Sequence, residues 1–322
     1  MTMAEPMLTI DGLCIDSTRG GERRRIVDGL SLRVHPGEVY GLVGESGSGK
    51  SISMMSSVGL AARGLDVVAG SVSIGSTPLP ARDQKGLRGS LSRGASLLFQ
   101  NAKGALNPYM MVARQVERAL GKAGRGRDRR AEVEELFRVV GLSYHDHGRK
   151  YPHQISGGQA QRVAMACALA TKPRLLIADE PTTALDVTTE GELLRFLTGM
   201  CRERGMALVL IAHNLSLVSV YCDRISIMHA GQLVETGKRS LLFKNPLHPY
   251  TQGLIAAVPD VDNPHELVPL KGSVWGGPAR AARCRFSHRC PQAQPICNTA
   301  RPPSIRRGDQ SVQCVLYDEV SK

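Results

Sequence analysis

Aromatic residues are scarce in this sequence of 322 residues, since phenylalanine, tryptophan and tyrosine together make up only 4%. Aliphatic side chains must therefore fill the core, and no aromatic residue precedes Tyr40. Long apolar runs are also missing, because the longest, residues 206–212, falls well short of the roughly 20 residues that a membrane-spanning helix needs. The N-terminus lacks the basic and apolar regions of a signal peptide, so we expect a cytosolic protein.

Acidic residues are absent between Leu267 and Gly308, a stretch that carries eight lysines and arginines. The whole chain has a formal net charge of +12, which suits either a nucleic-acid partner or a location at a membrane surface. A second basic cluster, residues 122–130, has no aromatic neighbours of the kind that stack on single-stranded nucleic acid. We therefore interpret that cluster as a solvated loop and expect no nucleic-acid partner.

The most informative stretch reads G-x-x-x-x-G-K-S, the pattern of a phosphate-binding P-loop. Its residues are Gly44, Glu45, Ser46, Gly47, Ser48, Gly49, Lys50 and Ser51. An apolar, strand-like run precedes it and a helix-like run follows, which is the context that the pattern requires. The glycines let successive backbone N–H groups point at phosphate oxygens, next to the positive end of a helix. We expect Lys50 to reach the β- and γ-phosphates and Ser51 to bind Mg²⁺.

Polar side chains also end two predicted strands further along the chain. Asp179 and Glu180 end one strand, where Asp179 suits an Mg²⁺-associated role and Glu180 is placed to polarise an attacking water. Gln100 ends the other strand, either as a sensor of the γ-phosphate and Mg²⁺ or as a residue at the edge of the core. A second glycine-rich turn precedes a helix at Ser156-Gly157-Gly158-Gln159 and forms a second potential anion site. Two such helix starts in one chain indicate that two chains share one nucleotide.

In their order and spacing, these motifs resemble the nucleotide-binding subunit of an ABC transporter over about residues 7–260. The resemblance identifies the Q-loop glutamine as Gln100, the signature motif as residues 155–159, the Walker B carboxylate as Glu180, the D-loop aspartate as Asp186 and the switch histidine as His213. Residues 248–254, His-Pro-Tyr-Thr-Gln-Gly-Leu, and the cysteine-containing tail resemble the oligopeptide/dipeptide permease branch.

The resemblance implies an α/β fold with a P-loop ABC ATPase core, an antiparallel β subdomain and a helical subdomain at about residues 101–165. Residues 1–260 would form the nucleotide-binding domain, and residues 261–322 a small cysteine-containing C-terminal extension. ATP and Mg²⁺ are the implied cofactors, with Glu180 as general base and His213 as a γ-phosphate sensor. The signature residues Ser156 to Gln159 would serve the nucleotide bound by the partner ATPase, and Asp186 would be a further cofactor-binding residue.

The implied partners are a second ATPase subunit, often a different chain in this branch, two membrane permease subunits and an extracytoplasmic substrate-binding protein. The predicted function is ATP hydrolysis at the cytoplasmic face of the inner membrane, coupled to uptake of dipeptides or oligopeptides. Three alternatives stay open: an importer of a non-peptide cargo, a soluble ABC-type ATPase acting on ribosomes or DNA, and an inactive regulatory subunit. Intact Lys50, Glu180 and His213 argue against inactivity, and the lack of a second cassette or long coiled-coil insertion argues against the soluble ATPase.

The sequence departs from the family pattern where an aromatic residue usually stacks on adenine in the N-terminal strand region. Ser17 stands at that place. We therefore expect weak binding of ATP by the isolated subunit, unless another side chain such as Ile26 covers the base.

Four cysteines crowd the tail: Cys284, Cys290, Cys297 and Cys314. In a reducing cytosol such a group indicates a metal before a disulfide. Their spacing lacks the close pair of a structural zinc site and suits Cys₄ ligation of a [4Fe–4S] cluster, whose negative charge the basic tail would offset. Zinc and four unligated thiols remain the alternatives. We predict that the other four are buried free thiols: Cys14, Cys167, Cys201 and Cys222.

Overall fold

The structure, a computed structural model, describes residues 5–18, 22–75, 77–89, 91, 94–121, 128–182, 187–258, 270–275 and 283–318. Within these residues the strands form a four-stranded antiparallel sheet and an eight-stranded mixed sheet. In the described ranges no helix is both long and apolar enough to cross a membrane.

The four-stranded sheet has the order β2-β1-β4-β5. Its strands are β1 (Leu8–Ser17), β2 (Arg24–Val34), β4 (Leu65–Ile74) and β5 (Pro78–Pro80). Apolar and polar residues alternate along β1, as predicted for a strand with one buried face. The predicted polar loop from Ser17 to Arg25 is too long, because Ser17 pairs with Arg24 and Asp16 with Arg25 in the ladder. The ion pair between Arg25 and Asp16 explains why these polar residues join the sheet.

The eight-stranded sheet has the order β11-β12-β10-β9-β3-β8-β7-β6. Its members are β3 (Val39–Val43), β6 (Ala95–Leu98), β7 (Leu175–Asp179), β8 (Ala207–Ala212), β9 (Arg224–His229), β10 (Gln232–Lys238), β11 (Ser304–Arg307) and β12 (Gln310–Gln313). The five strands from β9 to β6 are parallel. Every residue of β3, β7 and β8 is buried, as expected for parallel strands that are covered on both faces.

The helices lie on both sides of this sheet. They are α1 (Lys50–Ser57), α2 (Gln84–Arg88), α3 (Ala102–Ala105), α4 (Val112–Ala119), α5 (Arg129–Val139), α6 (Tyr144–His147), α7 (Gly157–Leu169), α8 (Val187–Arg204), α9 (Leu215–Tyr221), α10 (Arg239–Lys244) and α11 (Pro249–Ala256). The predicted helical subdomain at about residues 101–165 contains α3 to α6 and most of α7. Helix α5 ends before Gly141, whose φ of 71° only glycine adopts without strain.

Side chains of the parallel strands alternate between two apolar clusters, one on each side of the sheet. Leu176 and Ala178 of β7 pack in the cluster that contains α7 and α8. Leu175 and Ile177 pack in the other cluster, with residues of β1, β2 and α1. The parallel part of the sheet is therefore packed on both faces, and the loops at the carboxyl ends of its strands extend from buried strands.

The C-terminal tail continues the main sheet, which the sequence did not predict. Strand β12 pairs antiparallel with β10, with Thr236 opposite Ser311, and β11 pairs with β12. Pairing with β12 satisfies the backbone groups along the outer edge of β10, which would otherwise be an open strand edge. The tail is thus joined to β10, which precedes it in the main sheet, by backbone hydrogen bonds.

Candidate functional site

The glycine-rich loop connects β3 to α1 at the carboxyl edge of the parallel sheet. A side chain at Gly44 would place its Cβ only 2.1 Å from the carbonyl oxygen of Met228, so the loop must pass this point as glycine. Gly49, with φ 103°, precedes the first residue of α1. The carbonyl oxygen of Ser48 accepts a hydrogen bond from Gly231 N–H at 2.8 Å, which ties the loop to the β9–β10 turn.

Lys50 is buried in the centre of this loop, with an exposed fraction of 4%. Its ammonium donates hydrogen bonds to the carbonyl oxygens of Gly44 at 2.8 Å and Glu45 at 3.0 Å. Burial lowers the pKa of Lys50, while the carboxylates of Glu180 and Asp179 act in the opposite direction. The loop therefore holds a cation beside two carboxylates, close to the positive end of α1.

Ser51 and Asp179, the two residues predicted to bind Mg²⁺, meet beside Lys50. The Ser51 hydroxyl donates to Asp179 Oδ1 at 2.8 Å. Burial raises the pKa of Asp179, and the hydrogen bond from Ser51 opposes that shift. Hydroxyl and carboxylate oxygens are hard ligands of the kind that Mg²⁺ takes together with substrate phosphates. The donor set present here fits that ion.

Glu180, Gln100 and His213 converge because they follow adjacent parallel strands. Gln100 Nε2 donates to Glu180 Oε2 at 2.8 Å, and His213 Nδ1 lies 3.3 Å from the same oxygen. Glu180 has φ 42°, a left-handed backbone conformation that a glutamate rarely adopts. Its N–H donates to Ile211 O at 3.0 Å, which holds it there. Such strain is typical of a residue whose side chain must point in one functional direction.

A cavity of about 390 Å³ opens beside this carboxylate, with Glu180, Thr182, Glu190 and His213 among its lining residues. It has room for several waters, since each takes about 30 Å³ in the liquid. Water can therefore reach a glutamate that already has two polar partners.

The second glycine-rich turn forms the exposed start of α7. The Ser156 hydroxyl accepts from Gln159 N–H at 3.2 Å, and Gln159 Oε1 accepts from Ser156 N–H at 3.0 Å. This capping box satisfies the first turn and leaves Ser156 and Gly157 facing solvent. In the described residues no hydrogen bond joins this turn to the P-loop. Asp186 and residues 122–127 of the basic cluster lie outside the described residues.

Three residues that sequence reasoning gave no role in the site contact the P-loop. Arg289 donates to both carboxylate oxygens of Glu45, at 2.7 and 2.9 Å. The Tyr250 hydroxyl donates to the same carboxylate at 3.2 Å, and Trp275 Nε1 donates to Gly47 O at 2.9 Å. The only signal in the sequence was the stretch from Leu267 to Gly308, which has no acidic residue, so that its arginines can pair only with carboxylates outside that stretch.

The four cysteines of the tail, all within the described residues, form no disulfide bond. Cys284 N–H donates to Cys297 O at 3.0 Å. Burial raises the pKa of Cys284 to about 12 and that of Cys314 to about 11, and the neighbouring thiols of the group add to both shifts. Among the residues described, no three or more His, Cys, Asp or Glu side chains are placed to hold a metal ion. The four thiols therefore lie near one another, but they are not arranged as the ligands of a single ion such as zinc.

The other four cysteines are also free. Cys201 and Cys222 are buried as predicted, whereas Cys14 and Cys167 are half-buried.

Comparison with known proteins connects this geometry to a family. Residues 27–183 match the ABC transporter family, and residues 234–297 match the C-terminal region of oligopeptide/dipeptide transporters. The oligopeptide transport ATP-binding protein AppD of Bacillus subtilis is 38% identical over 299 residues, which cover 91% of either chain. The chain belongs to the ABC transporter family of ATP-binding proteins.

Other relatives of this ABC protein agree with that assignment. The dipeptide transport ATP-binding protein DppD of Haemophilus influenzae is 38% identical over 294 residues, 90% of this chain and 89% of that protein. A solved dimeric ATP-binding cassette in a post-hydrolysis state, bound to ADP and phosphate, superposes with a TM-score of 0.65. It is 27% identical and covers 72% of this chain and 99% of its own. The predicted α/β fold of an ABC cassette is confirmed.

Proposed function

We propose that this protein hydrolyses ATP as a subunit of an ABC importer for peptides. The observation that carries the proposal is the convergence of Lys50, the Ser51–Asp179 pair and the Gln100–Glu180–His213 group at one edge of the sheet. Peptide as the cargo class is supported by the match of residues 234–297 to oligopeptide/dipeptide transporters and by the names of the relatives.

In the proposed reaction, the P-loop N–H groups and Lys50 hold the phosphates of ATP. Mg²⁺, held by Ser51 and Asp179 with Gln100 nearby, would neutralise charge on the transferred phosphoryl group. Glu180 accepts the proton of the attacking water as general base, and the cavity at its side admits that water. His213 and Gln100 orient the Glu180 carboxylate, because both contact the same oxygen.

The signature turn supports a dimer in which each P-loop faces the signature motif of the other subunit. Ser156 and Gly157 are exposed at the start of a thirteen-residue helix, and backbone N–H groups at such a start bind phosphate. We propose a heterodimer of two ATPases, joined to two permease subunits at the cytoplasmic face of the membrane and served by a substrate-binding protein.

A reconstituted transporter tests this function. Permease subunits, both ATPases and the binding protein are placed in proteoliposomes, and ATP hydrolysis and uptake of labelled dipeptides and oligopeptides are measured. We expect peptide to stimulate hydrolysis, and Lys50→Ala to abolish both hydrolysis and uptake. ATP turnover that peptides do not stimulate, together with no uptake of any peptide, would contradict peptide import.

We further propose that the tail cysteines ligate a [4Fe–4S] cluster, which would have a structural role. Three of the four thiols lie in the basic segment from Leu267 to Gly308, Cys314 follows it, and all four interact electrostatically. A [4Fe–4S] cluster with four thiolates is anionic, so the basic residues would offset its charge. The present arrangement of the thiols fits no single metal ion, so ligation would require the thiols to lose protons and rearrange. Anaerobic purification, iron and zinc analysis and a visible spectrum provide the test. A colourless protein with stoichiometric zinc would contradict the cluster.

A further inference from the structure

Trp275, the single tryptophan of the sequence, lies against the P-loop. Its indole N–H donates to Gly47 O at 2.9 Å, and the residue is half-buried. The indole nitrogen would also lie 3.8 Å from a Cβ built on Gly47. The C-terminal extension thus brings a large aromatic surface to the edge of the phosphate-binding loop.

The same indole also contacts the end of the β1–β2 ladder. The guanidinium carbon of Arg24 lies 4.5 Å from the ring centroid of Trp275, and Arg24 pairs with Ser17 across the two strands. Arg285, at 5.7 Å from the same centroid, is anchored by a hydrogen bond to Ala230 O. The ring therefore bridges the P-loop and the strand ends beside Ser17.

This position matters for the part of a nucleotide that the phosphate site does not hold. When the phosphates lie on the P-loop, the ribose and base extend beyond that loop. Nucleobases gain affinity by stacking on aromatic rings and guanidinium planes, and β1 and β2 contain no aromatic residue. The guanidinium of Arg24, stacked on the Trp275 ring, adds a second flat surface of this kind beside the indole.

We propose that Trp275, together with Arg24, forms the subsite that binds the purine base of the nucleotide. This inference rests on the proposed ATPase function and adds its base-binding residues. The rival explanation is that Trp275 only stabilises the conformation of the P-loop through its hydrogen bond to Gly47. The two differ in which part of the nucleotide loses affinity when the ring is removed.

The first experiment uses the intrinsic emission of the full-length protein, which reports Trp275 alone because the chain has no other tryptophan. The protein is titrated with MgATP and, separately, with magnesium tripolyphosphate, which has the phosphates but no base. We expect MgATP to quench the emission strongly and tripolyphosphate to leave it nearly unchanged. Equal quenching by both ligands would contradict base stacking.

The second experiment measures the same two ligands by equilibrium dialysis on Trp275→Leu and Trp275→Phe. Trp275→Leu is expected to weaken ATP binding by about 5- to 150-fold, the range of one base–aromatic stack, and to leave tripolyphosphate binding unchanged. Trp275→Phe keeps a ring without the N–H donor and should restore most of the ATP affinity. Tripolyphosphate binding also shows that the variants are folded.

Tyr109→Leu is the matched control, because Tyr109 is 91% exposed and far along the chain from the P-loop. It should bind both ligands as the wild type does. Trp275→Leu that binds ATP with wild-type affinity would overturn the subsite. The subsite would also be overturned if Trp275→Leu lost affinity for ATP and for tripolyphosphate equally and Trp275→Phe did not restore it. Wild-type protein that binds neither ligand would overturn the proposed function itself, and the subsite with it.

Discussion

The contact between Arg289 and Glu45 makes a sharp prediction, because it joins the C-terminal extension to the P-loop through a bidentate ion pair. The Arg289 side chain is only 2% exposed, and Glu45 is 30% exposed. Removing one partner of a buried ion pair costs about 3–5 kcal/mol. Water and the Tyr250 hydroxyl still solvate Glu45, so we expect Arg289→Met to lower the free energy of unfolding by about 2–3 kcal/mol.

Urea unfolding measures this change, with Trp275 emission as a local probe and far-ultraviolet circular dichroism as a global one. With an m-value of roughly 3 kcal/mol/M, the unfolding midpoint should fall by roughly 0.7–1 M. Because the two residues are in direct contact, combining Arg289→Met with Glu45→Gln should cost clearly less than the sum of the single changes.

Arg138 and Glu135 supply a matched control, since they form an equally bidentate pair, with distances of 2.8 and 2.6 Å. Their side chains are 75% and 53% exposed, and such surface pairs contribute little. Arg138→Met should therefore leave the midpoint unchanged. If Arg289→Met shifts the midpoint no more than Arg138→Met does, the buried Arg289–Glu45 ion pair does not stabilise the protein and the reasoning is wrong.

Three further changes have defined outcomes. Glu180→Gln should keep ATP binding and reduce hydrolysis in the assembled transporter by orders of magnitude, because the general base is lost; hydrolysis at the wild-type rate would exclude that role. Burial lowers the pKa of His229 and His248 to about 3, so the unfolded state binds more protons between pH 6.5 and 3, and the free energy of unfolding decreases as the pH is lowered through that window. Each histidine should contribute about 1.4 kcal/mol per pH unit in that window. His229→Phe should therefore make the urea midpoint depend less steeply on pH. Replacement of His145, which is 98% exposed, should leave that dependence unchanged. Ser17→Tyr should tighten ATP binding most in Trp275→Leu protein, and no gain in a nucleotide titration would mean that Ser17 does not face the base.

Much of the geometry of the candidate site could be predicted because its signals are local. The glycine-rich loop, β3 and the start of α1 are consecutive in the chain, and strand β7 runs directly into Asp179 and Glu180. Even the meeting of Gln100 with Glu180 follows from a general rule, since neighbouring parallel strands end at one edge of a sheet. The left-handed backbone of Glu180 had no such signal, because nothing in the local sequence requires it.

The contacts of the tail could not be predicted for the opposite reason. Arg289 and Glu45 are separated by 244 positions, and no periodicity connects residues so far apart. Strand β12 was missed because four residues with alternating burial resemble any short polar segment. Its partner, the open edge of β10, exists only after the main sheet has formed.

These contacts also change how the boundary near residue 260 should be understood. Phe286 is 1% exposed and packs in the same apolar cluster as Tyr250 and Leu242, so the residues after that boundary complete the core of the residues before it. Phe286 and Arg289 lie between Cys284 and Cys290, and Arg289 holds the P-loop through Glu45. A rearrangement of the backbone of residues 284–290 would act directly on the segment that carries Arg289. The cysteine segment is in this way connected to the P-loop through Arg289, even though no hydrogen bond joins its thiols to that loop in the described residues.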